Sequence, residues 1–233
     1  MRFSEWEPVY EAILADMGYD GDCDERSARV AKAALQRLDL ADDDILRDVI
    51  GAEATVLGNA ARLAGDLSSM GAVGAVLCSG SAAGAAMAAG CMPDAVVTDL
   101  DGDIGPQIEA SAAGAVTLIH AHGDNAELIL RHAPEFRGPV ILTVQSKPSG
   151  IACNYGGFTD GDRAVCVARH FGARRIRLLG FDFSEPSPKG GSDPAEKMRK
   201  LEWARRIIFG GGGLDIEAPE GVRPPEGFAW PGV

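Results

Sequence analysis

Six short, nearly continuous apolar runs, separated by alanine-rich segments of helical character, constrain the fold of this 233-residue chain most strongly. Continuous apolar runs of this length predict strands that are buried on both faces. Because helical segments separate them, the strands are expected to form right-handed βαβ units. The predicted class is α/β, a doubly wound, mostly parallel, Rossmann-like three-layer sheet with a helical N-terminal extension. The runs are residues 54–57, 72–77, 95–97, 115–119, 140–144 and 176–179.

Polar, charged or glycine residues follow each run, and no comparable set precedes the runs. In a doubly wound sheet, ligands bind outside the carboxyl ends of the strands. The asymmetry therefore indicates an enzyme whose site lies at that edge of the sheet. The segments concerned are 58–59, 79–81, 99–103, 120–125, 145–147 and 180–182.

The chain divides by composition into three parts. Residues 1–52 form an acidic helical N-terminal region, and the 13 acidic against 6 basic residues among its first 50 suggest a separate, highly solvated unit. Residues 53–209 form the α/β catalytic domain. Residues 210–233 form a Gly/Pro-rich C-terminal tail, which is expected to be irregular or to act as a lid.

The charge balance excludes some partners. There are 34 acidic and 22 basic residues, a formal net charge of −12, whereas non-specific nucleic-acid binding needs a basic surface. No apolar run is long enough to cross a bilayer, so no membrane partner is expected. Residues 1–7 contain no apolar signal core, and the expected location is therefore cytoplasmic. The charge balance does not exclude a homo-oligomer.

The third run ends in alternating carboxylates, Asp99, Asp101 and Asp103. At this spacing on extended or turning backbone, several of their oxygens are expected to converge near one point. Mg²⁺ prefers oxygen ligands, and typically takes one or two carboxylates together with waters and substrate phosphates. The sequence therefore predicts a magnesium site here. A solvated acidic turn is the alternative.

The fourth run leads into His120, His122, Asp124 and Asn125. The two imidazoles lie on the same side of an extended segment, where they could bind zinc. Because no third ligand follows at a telling distance, hydrogen bonds to substrate phosphate or to acidic neighbours are favoured. Asp124 stands where the next helix should start, so an N-cap role is about as well supported as a catalytic one.

A glycine-rich segment precedes a helical stretch at 164–171. Glycines let the backbone approach a ligand closely, and a helix N-terminus offers free N–H groups to an anion. In the structural alternative, Thr159 is an N-cap and the acids after it lie in the first turn. The preceding aromatic residue and two glycines favour a substrate-binding loop, made of Gly156, Gly157, Phe158, Thr159, Asp160 and Asp162.

The remaining signals are weaker. Three lysines follow the last run, Lys189, Lys197 and Lys200, and any of them could reach phosphates as a point charge. Lys189 is included among the substrate-binding residues. Gly58 precedes a helical segment, and a single glycine in that position is only weak evidence for a phosphate-binding loop. The predicted nucleotide-binding residues are Gly58, Asn59, Ser79 and Ser81.

Four segments together resemble the archaeal 6-hydroxymethyl-7,8-dihydropterin pyrophosphokinase family in residues, order and spacing, over roughly residues 53–205. The resemblance implies a fold like that of thiamine pyrophosphokinases. It also implies Mg²⁺-dependent transfer of pyrophosphate from ATP to the hydroxymethyl group of a reduced pterin, with release of AMP, in tetrahydromethanopterin or folate biosynthesis. The loop at 58–63 departs from the Gly-x-Gly-Pro-Ser-Leu turn usual in that family. The four segments are Pro93–Asp103, His120–Asn125, Gly156–Ala164 and Leu179–Phe183.

The resemblance also assigns roles to residues. It implies that the three aspartates at 99–103 bind the metal, that residues 120, 122, 124 and 125 surround phosphates, and that residues 159, 160 and 162 lie at the glycine-rich turn. Asp101, His120, His122 and Asp124 are the expected catalytic residues. For the pyrimidine edge of the pterin, a carboxylate accepting two hydrogen bonds is suitable. Asp160 is preferred over Asp182 because Phe158 and two glycines lie beside it.

Three other functions stay open from the residues. The first is the same chemistry on thiamine. The second is a metal-dependent glycosyltransferase, since an Asp-x-Asp pair on a Rossmann-like sheet also holds a sugar nucleotide through its diphosphate. The third is a nucleotide sensor without turnover, which the concentration of acids and histidines in one crevice disfavours.

Overall fold

The computed structural model describes residues 2–36, 38, 40–123, 125–185, 193–210 and 212–227. Nine α-helices occur within these ranges: α1 (Phe3–Met17), α2 (Gly21–Leu35), α3 (Ile45–Val49), α4 (Leu63–Met70), α5 (Ala83–Ala88), α6 (Gly105–Ala112), α7 (Ala126–His132), α8 (Asp160–His170) and α9 (Pro194–Gly210). The strands described are β1 (Glu53–Leu57), β2 (Ala75–Ser79), β3 (Ala95–Thr98), β4 (Val116–Ala121), β5 (Val140–Val144), β6 (Ala152–Cys153), β7 (Arg175–Leu179) and β8 (Asp215–Glu217).

All eight strands form one parallel sheet, in the order β6-β5-β4-β3-β2-β1-β7-β8. The predicted α/β class is confirmed. The chain first builds outward from β1 through β2 to β6, and then returns to place β7 on the other side of β1. The strand order therefore reverses beside β1, which is where ligands bind in open sheets of this kind.

Helices cover both faces of the sheet, which explains the continuous apolar runs. On one face, Val56, Leu77 and Val97 pack against α8. On the other face, Leu57 and Cys78 pack against α4 and α5. Successive strand residues point to opposite faces, so a strand covered on both sides is expected to be apolar at most positions.

The N-terminal helices pack onto the sheet domain. From α1, Trp6 and Ile13 share a core with Trp203 of α9, and α2 packs Ala31 and Leu35 against α7, β4 and β5. The expectation of a separate, solvated unit is wrong, because the apolar stripes of both helices are buried. Their acidic residues lie mainly on the opposite, exposed sides.

Three details of the strands differ from expectation. The second strand begins at Ala75, because Gly74 adopts a positive φ of 60° and turns the chain before it. The two-residue strand β6 is too short for a periodic signal. In the C-terminal tail, which was expected to be irregular, residues 215–217 form β8 beside β7.

No helix among the described residues is long and apolar enough to span a membrane.

Candidate active site

A cleft of about 680 Å³ lies at the carboxyl ends of the strands. Helix α8 points its N-terminus into this cleft, and the α1–α2 turn and α9 form other parts of its wall. The edge chosen from the sequence is therefore the one that carries the cleft. The strand-end residues that line it are Gly58, Ser79, Asp99, His122, Gln145 and Gly180.

Asp99 and Asp101 both line the cleft. Between them, Leu100 has a φ of 66°, a left-handed conformation that is rare for a leucine, and its side chain is buried. Asp99 Oδ1 accepts the N–H of Asp101 at 3.0 Å. This turn presents two carboxylates to one cavity, a donor set that suits a hard cation completed by waters and phosphate oxygens.

Asp103 lies outside the cleft lining. Its Oδ1 accepts the N–H of Gly105 at 3.1 Å, where α6 begins. Among the described residues, Asp42–Asp44 is the one group in which three acidic, histidine or cysteine ligand atoms lie within 4.8 Å of one another. The three aspartates at 99–103 thus do not converge on one point, and a metal role for Asp103 stays a prediction that its position does not support.

The two histidines of the fourth loop have different environments. His122 lines the cleft, and its Nε2 lies 3.5 Å from Asp99 Oδ2. His120 is 1 % exposed and contacts Thr143 Oγ1 at 3.0 Å and Gln145 Oε1 at 3.4 Å. Burial lowers the pKa of His120 well below its usual value, and the positive charge of Arg163 adds to the effect. His120 is therefore neutral and lies outside the cleft lining, and its position does not support the predicted catalytic role.

Asn125 joins the ends of two strands from a buried position. Its Nδ2 donates to the carbonyl oxygens of Asp99 and His120 at 3.0 and 2.7 Å, and its Oδ1 accepts the N–H of His122 at 3.1 Å. Three of its hydrogen-bonding positions are thus occupied by backbone, so it shapes the loop instead of facing a ligand. Asp124 lies outside the described residues.

The glycine-rich loop ends in a capping box on α8. Asp162 is fully buried, and its carboxylate accepts the N–H groups of Phe158 and Thr159 at 2.5 and 2.9 Å and the Thr159 hydroxyl at 2.7 Å. Burial raises the pKa of Asp162, and these hydrogen bonds and Arg163 oppose the shift. The structural alternative thus accounts for Asp162.

Neither loop glycine lines the cleft, and Gly157 makes room for Arg163. A Cβ on Gly157 (φ 100°) would lie 2.4 Å from the Cα of Arg163. The Arg163 guanidinium donates to the carbonyl oxygens of Gly157 and Phe158 at 3.1 Å each and to Gln145 Oε1 at 3.3 Å. Gly156 (φ 85°) is buried in the same turn. This framework leaves Phe158, Thr159 and Asp160 facing the cleft.

The loops that follow the neighbouring strands β1 and β7 approach each other closely. A Cβ on Gly58 would lie 2.6 Å from the Gly180 carbonyl oxygen, and one on Gly180 would lie 2.4 Å from that of Gly58. Asn59 and Asp182 line the cleft beside them. Hydrogen bonds from the Ser184 hydroxyl and N–H lower the pKa of Asp182, which therefore stays ionised in its own turn.

Only some of the serines and lysines predicted to bind substrate or nucleotide lie at the cleft. Ser79 and Ser81 line the cleft, and the buried Ser79 Oγ has no hydrogen-bond partner in the described part of the chain. Lys200 also lines it and lies 3.2 Å from Glu196 Oε1. Lys197 is not in the lining, and Lys189 lies outside the described residues.

Several cleft residues were missed from the sequence. Arg163 and Gln145 lie beside assigned motifs, and the available signal was an arginine shortly after the glycine-rich segment. The N-terminal residues gave no sequence signal for a place in the cleft, because helical periodicity indicates which face of a helix is buried and not the surface against which it packs. The N-terminal residues that line the cleft are Tyr19, Asp20, Cys23 and Asp24. Glu196 of α9 also lines it.

The sequence is similar to those of known archaeal proteins. A relative from Methanothermobacter thermautotrophicus, named 6-hydroxymethyl-7,8-dihydropterin pyrophosphokinase, is 40% identical over 222 residues, covering 89% of this chain and 94% of the relative. Proteins of the same name from Pyrococcus furiosus and Methanocaldococcus jannaschii are 38% and 31% identical, each over 89% of this chain and over 93% and 95% of their own lengths.

The family itself is matched over a continuous stretch of the chain. Residues 39–187, which include β1 to β7 and the loops that carry Asp99, His122 and Asp160, match the sequence model described as 6-hydroxymethylpterin diphosphokinase MptE-like. The chain therefore belongs to the MptE-like 6-hydroxymethylpterin diphosphokinase family.

Proposed function

We propose that this protein transfers pyrophosphate from ATP to the hydroxymethyl group of 6-hydroxymethyl-7,8-dihydropterin, giving the pterin diphosphate and AMP. The observation that carries the proposal is the composition of the cleft at the carboxyl ends of the strands. It combines a pair of acids, Asp99 and Asp101, with aromatic and acidic side chains at the start of α8, Phe158 and Asp160. The names of the three relatives support the choice of substrate.

Asp99 and Asp101 are the residues that would hold Mg²⁺. The bound ion would neutralise polyphosphate charge and align the phosphate chain. His122, at 3.5 Å from Asp99, is the nearest imidazole and orients that carboxylate. Lys200 and the N-terminus of α8 add positive potential around the same cavity, which favours a polyphosphate.

The two planar groups of the substrates need separate walls of the cleft. Phe158 provides a ring face next to the Asp160 carboxylate, and a carboxylate matches the neighbouring N–H donors of a pterin. At the strand-order reversal, Gly58, Asn59 and Phe181 line another part of the cleft, where the backbones of Gly58 and Gly180 approach each other closely. We assign the pterin to the Phe158 wall and ATP to the wall at β1 and β7.

The reaction balances as a single displacement. The pterin hydroxyl oxygen forms a bond to the β-phosphorus of ATP, and the bond from that phosphorus to the oxygen shared with the α-phosphorus breaks. AMP leaves with that oxygen, and the hydroxyl proton passes to solvent. The chain's contribution is to position the two substrates and to offset the charge that develops.

The test is an assay with ATP, Mg²⁺ and 6-hydroxymethyl-7,8-dihydropterin that separates AMP from ADP. AMP and pterin diphosphate in equal amounts are expected. Thiamine and a set of nucleotide sugars serve as competing substrates. Formation of ADP, or turnover of thiamine or a nucleotide sugar alone, would show that the assignment is wrong.

A further inference from the structure

Helix α2 holds both backbone hydrogen-bonding groups of Gly123, the residue after His122. The Gly123 N–H donates to Asp24 Oδ1 at 2.6 Å, and its carbonyl oxygen accepts the Ser27 hydroxyl at 2.5 Å. Asp24 and Ser27 lie three residues apart, on one face of α2, and are 6 % and 2 % exposed. Gly123 has a φ of 45°, in the left-handed region that favours glycine.

Asp24 is itself fixed from the other N-terminal helix. Its Oδ2 accepts the Tyr10 hydroxyl at 2.6 Å. The Tyr10 ring stacks on Trp6 with centroids 6.4 Å apart, and Trp6 Nε1 donates to the carbonyl oxygen of Gln145 at the end of β5. Burial raises the pKa of Tyr10, and the bond to Asp24 raises it further, so the phenol stays a donor. The N-terminal helices therefore bridge the ends of β4 and β5.

The other side of His122 is held by Asn125, the N-cap residue of α7. Its N–H donates to Asn125 Oδ1, and Asn125 also binds the carbonyl oxygen of Asp99. With Asn125 on one side and α2 on the other, the backbone of His122 has little freedom. Its ring lies in the cleft with Nε2 3.5 Å from Asp99 Oδ2.

We propose that Asp24 and Ser27 are positioning residues of the active site, which act through Gly123 to place His122 against Asp99. The inference rests on the proposed function, because pyrophosphoryl transfer is the reaction that it affects. It gives the N-terminal helices a role in that reaction. These two residues lie before residue 39, where the match to the family begins.

Ser27→Ala is the cleanest test, because it removes one donor to Gly123 without changing charge. We expect kcat to fall by between about 10-fold and about 100-fold, the scale of a displaced catalytic group. KM for the pterin should stay near the wild-type value, because the Phe158 wall is untouched. Asp24→Asn should act in the same direction. The exposed Glu25 on the same helix gives the matched control, Glu25→Gln, with unchanged kinetics.

A double-mutant cycle separates positioning from general destabilisation. In a His122→Ala background, Ser27→Ala should cause no further loss, because the group it positions is gone. An equal loss of kcat in both backgrounds would overturn the inference.

A second measurement does not depend on turnover. Long-range ¹H–¹⁵N spectra of the protein without substrates report the His122 imidazole directly. Its signals should move in Ser27→Ala and stay in place in Glu25→Gln. Unmoved signals in Ser27→Ala would refute the positioning role. If the wild-type protein fails to convert the pterin while these signals move, the proposed function fails and the positioning role stands.

Discussion

Asp160 and Asp162 lie two residues apart in one motif, and the structure predicts opposite consequences for their substitution. Asp160 lines the cleft, whereas Asp162 is fully buried and accepts three hydrogen bonds. We expect Asp162→Asn to destabilise the fold and Asp160→Asn to weaken pterin binding. The pair is matched, because each substitution removes one carboxylate charge.

The cost of Asp162→Asn follows from its partners. An amide has only one acceptor oxygen, so the N–H of either Phe158 or Thr159 loses its partner, at about 1–3 kcal/mol. The buried Arg163 also loses its neighbouring negative charge. A total of about 3 kcal/mol lowers Tm by roughly 6–12 °C in a domain of this size. Urea unfolding and thermal melts measure both quantities.

Asp160→Asn should instead leave the unfolding free energy within about 0.5 kcal/mol of the wild-type value. Loss of a charge-assisted contact of about 1.5–3 kcal/mol corresponds to a pterin Kd raised roughly 10- to 150-fold. Binding of Mg·ATP should change only a few-fold. Calorimetric titration with each ligand gives both constants. A stable Asp162→Asn variant with weakened pterin binding, or an unstable Asp160→Asn variant, would refute this division of roles.

Three further predictions concern the acids, the buried histidine and the glycine-rich loop. Asp99→Asn and Asp101→Asn should each lower Mg²⁺-dependent turnover by at least about 10²-fold without lowering Tm. Turnover of Asp103→Asn, whose substitution lies outside the cleft, should stay within a few-fold of the wild-type rate. Comparable losses of turnover in all three variants would support a site with three aspartate ligands. The pKa of His120 is depressed in the folded protein, so the imidazole takes up a proton at a higher pH in the unfolded chain than in the folded one. The free energy of unfolding should therefore fall as the pH drops below about 6.5, by up to about 1.4 kcal/mol per pH unit. Urea unfolding at pH 7.5 and 5.5 measures this slope, and an equally steep slope in His120→Gln would contradict it. Gly157→Ala should lower the unfolding free energy by about 1–3 kcal/mol, since its φ and its contact with Arg163 exclude a side chain; the exposed Gly65→Ala in α4, where nothing lies within 4 Å, is the control in the same urea assay.

Much of the architecture follows from the sequence alone, because it depends on local chemistry. A run such as 140–144, apolar except for Thr143, favours a strand covered on both faces, and it is β5 in the structure. Parallel strands place their carboxyl ends at one edge, so Asp99, His122 and Gly180 meet there whatever the detailed packing. The capping pattern of Thr159 and Asp162 is also local, since both partners lie within one helical turn.

The tertiary structure decided what depends on the distances between loops. Asp99, Asp101 and Asp103 are equivalent in a pattern of alternating acids, and only the turn at Leu100 and the start of α6 separate the two that face the cleft from the third. The docking of the N-terminal helices is likewise invisible in the sequence. An amphipathic helix specifies which of its faces is buried, but the surface that receives it is assembled from residues more than a hundred positions away, as the contact of Trp6 with Gln145 shows.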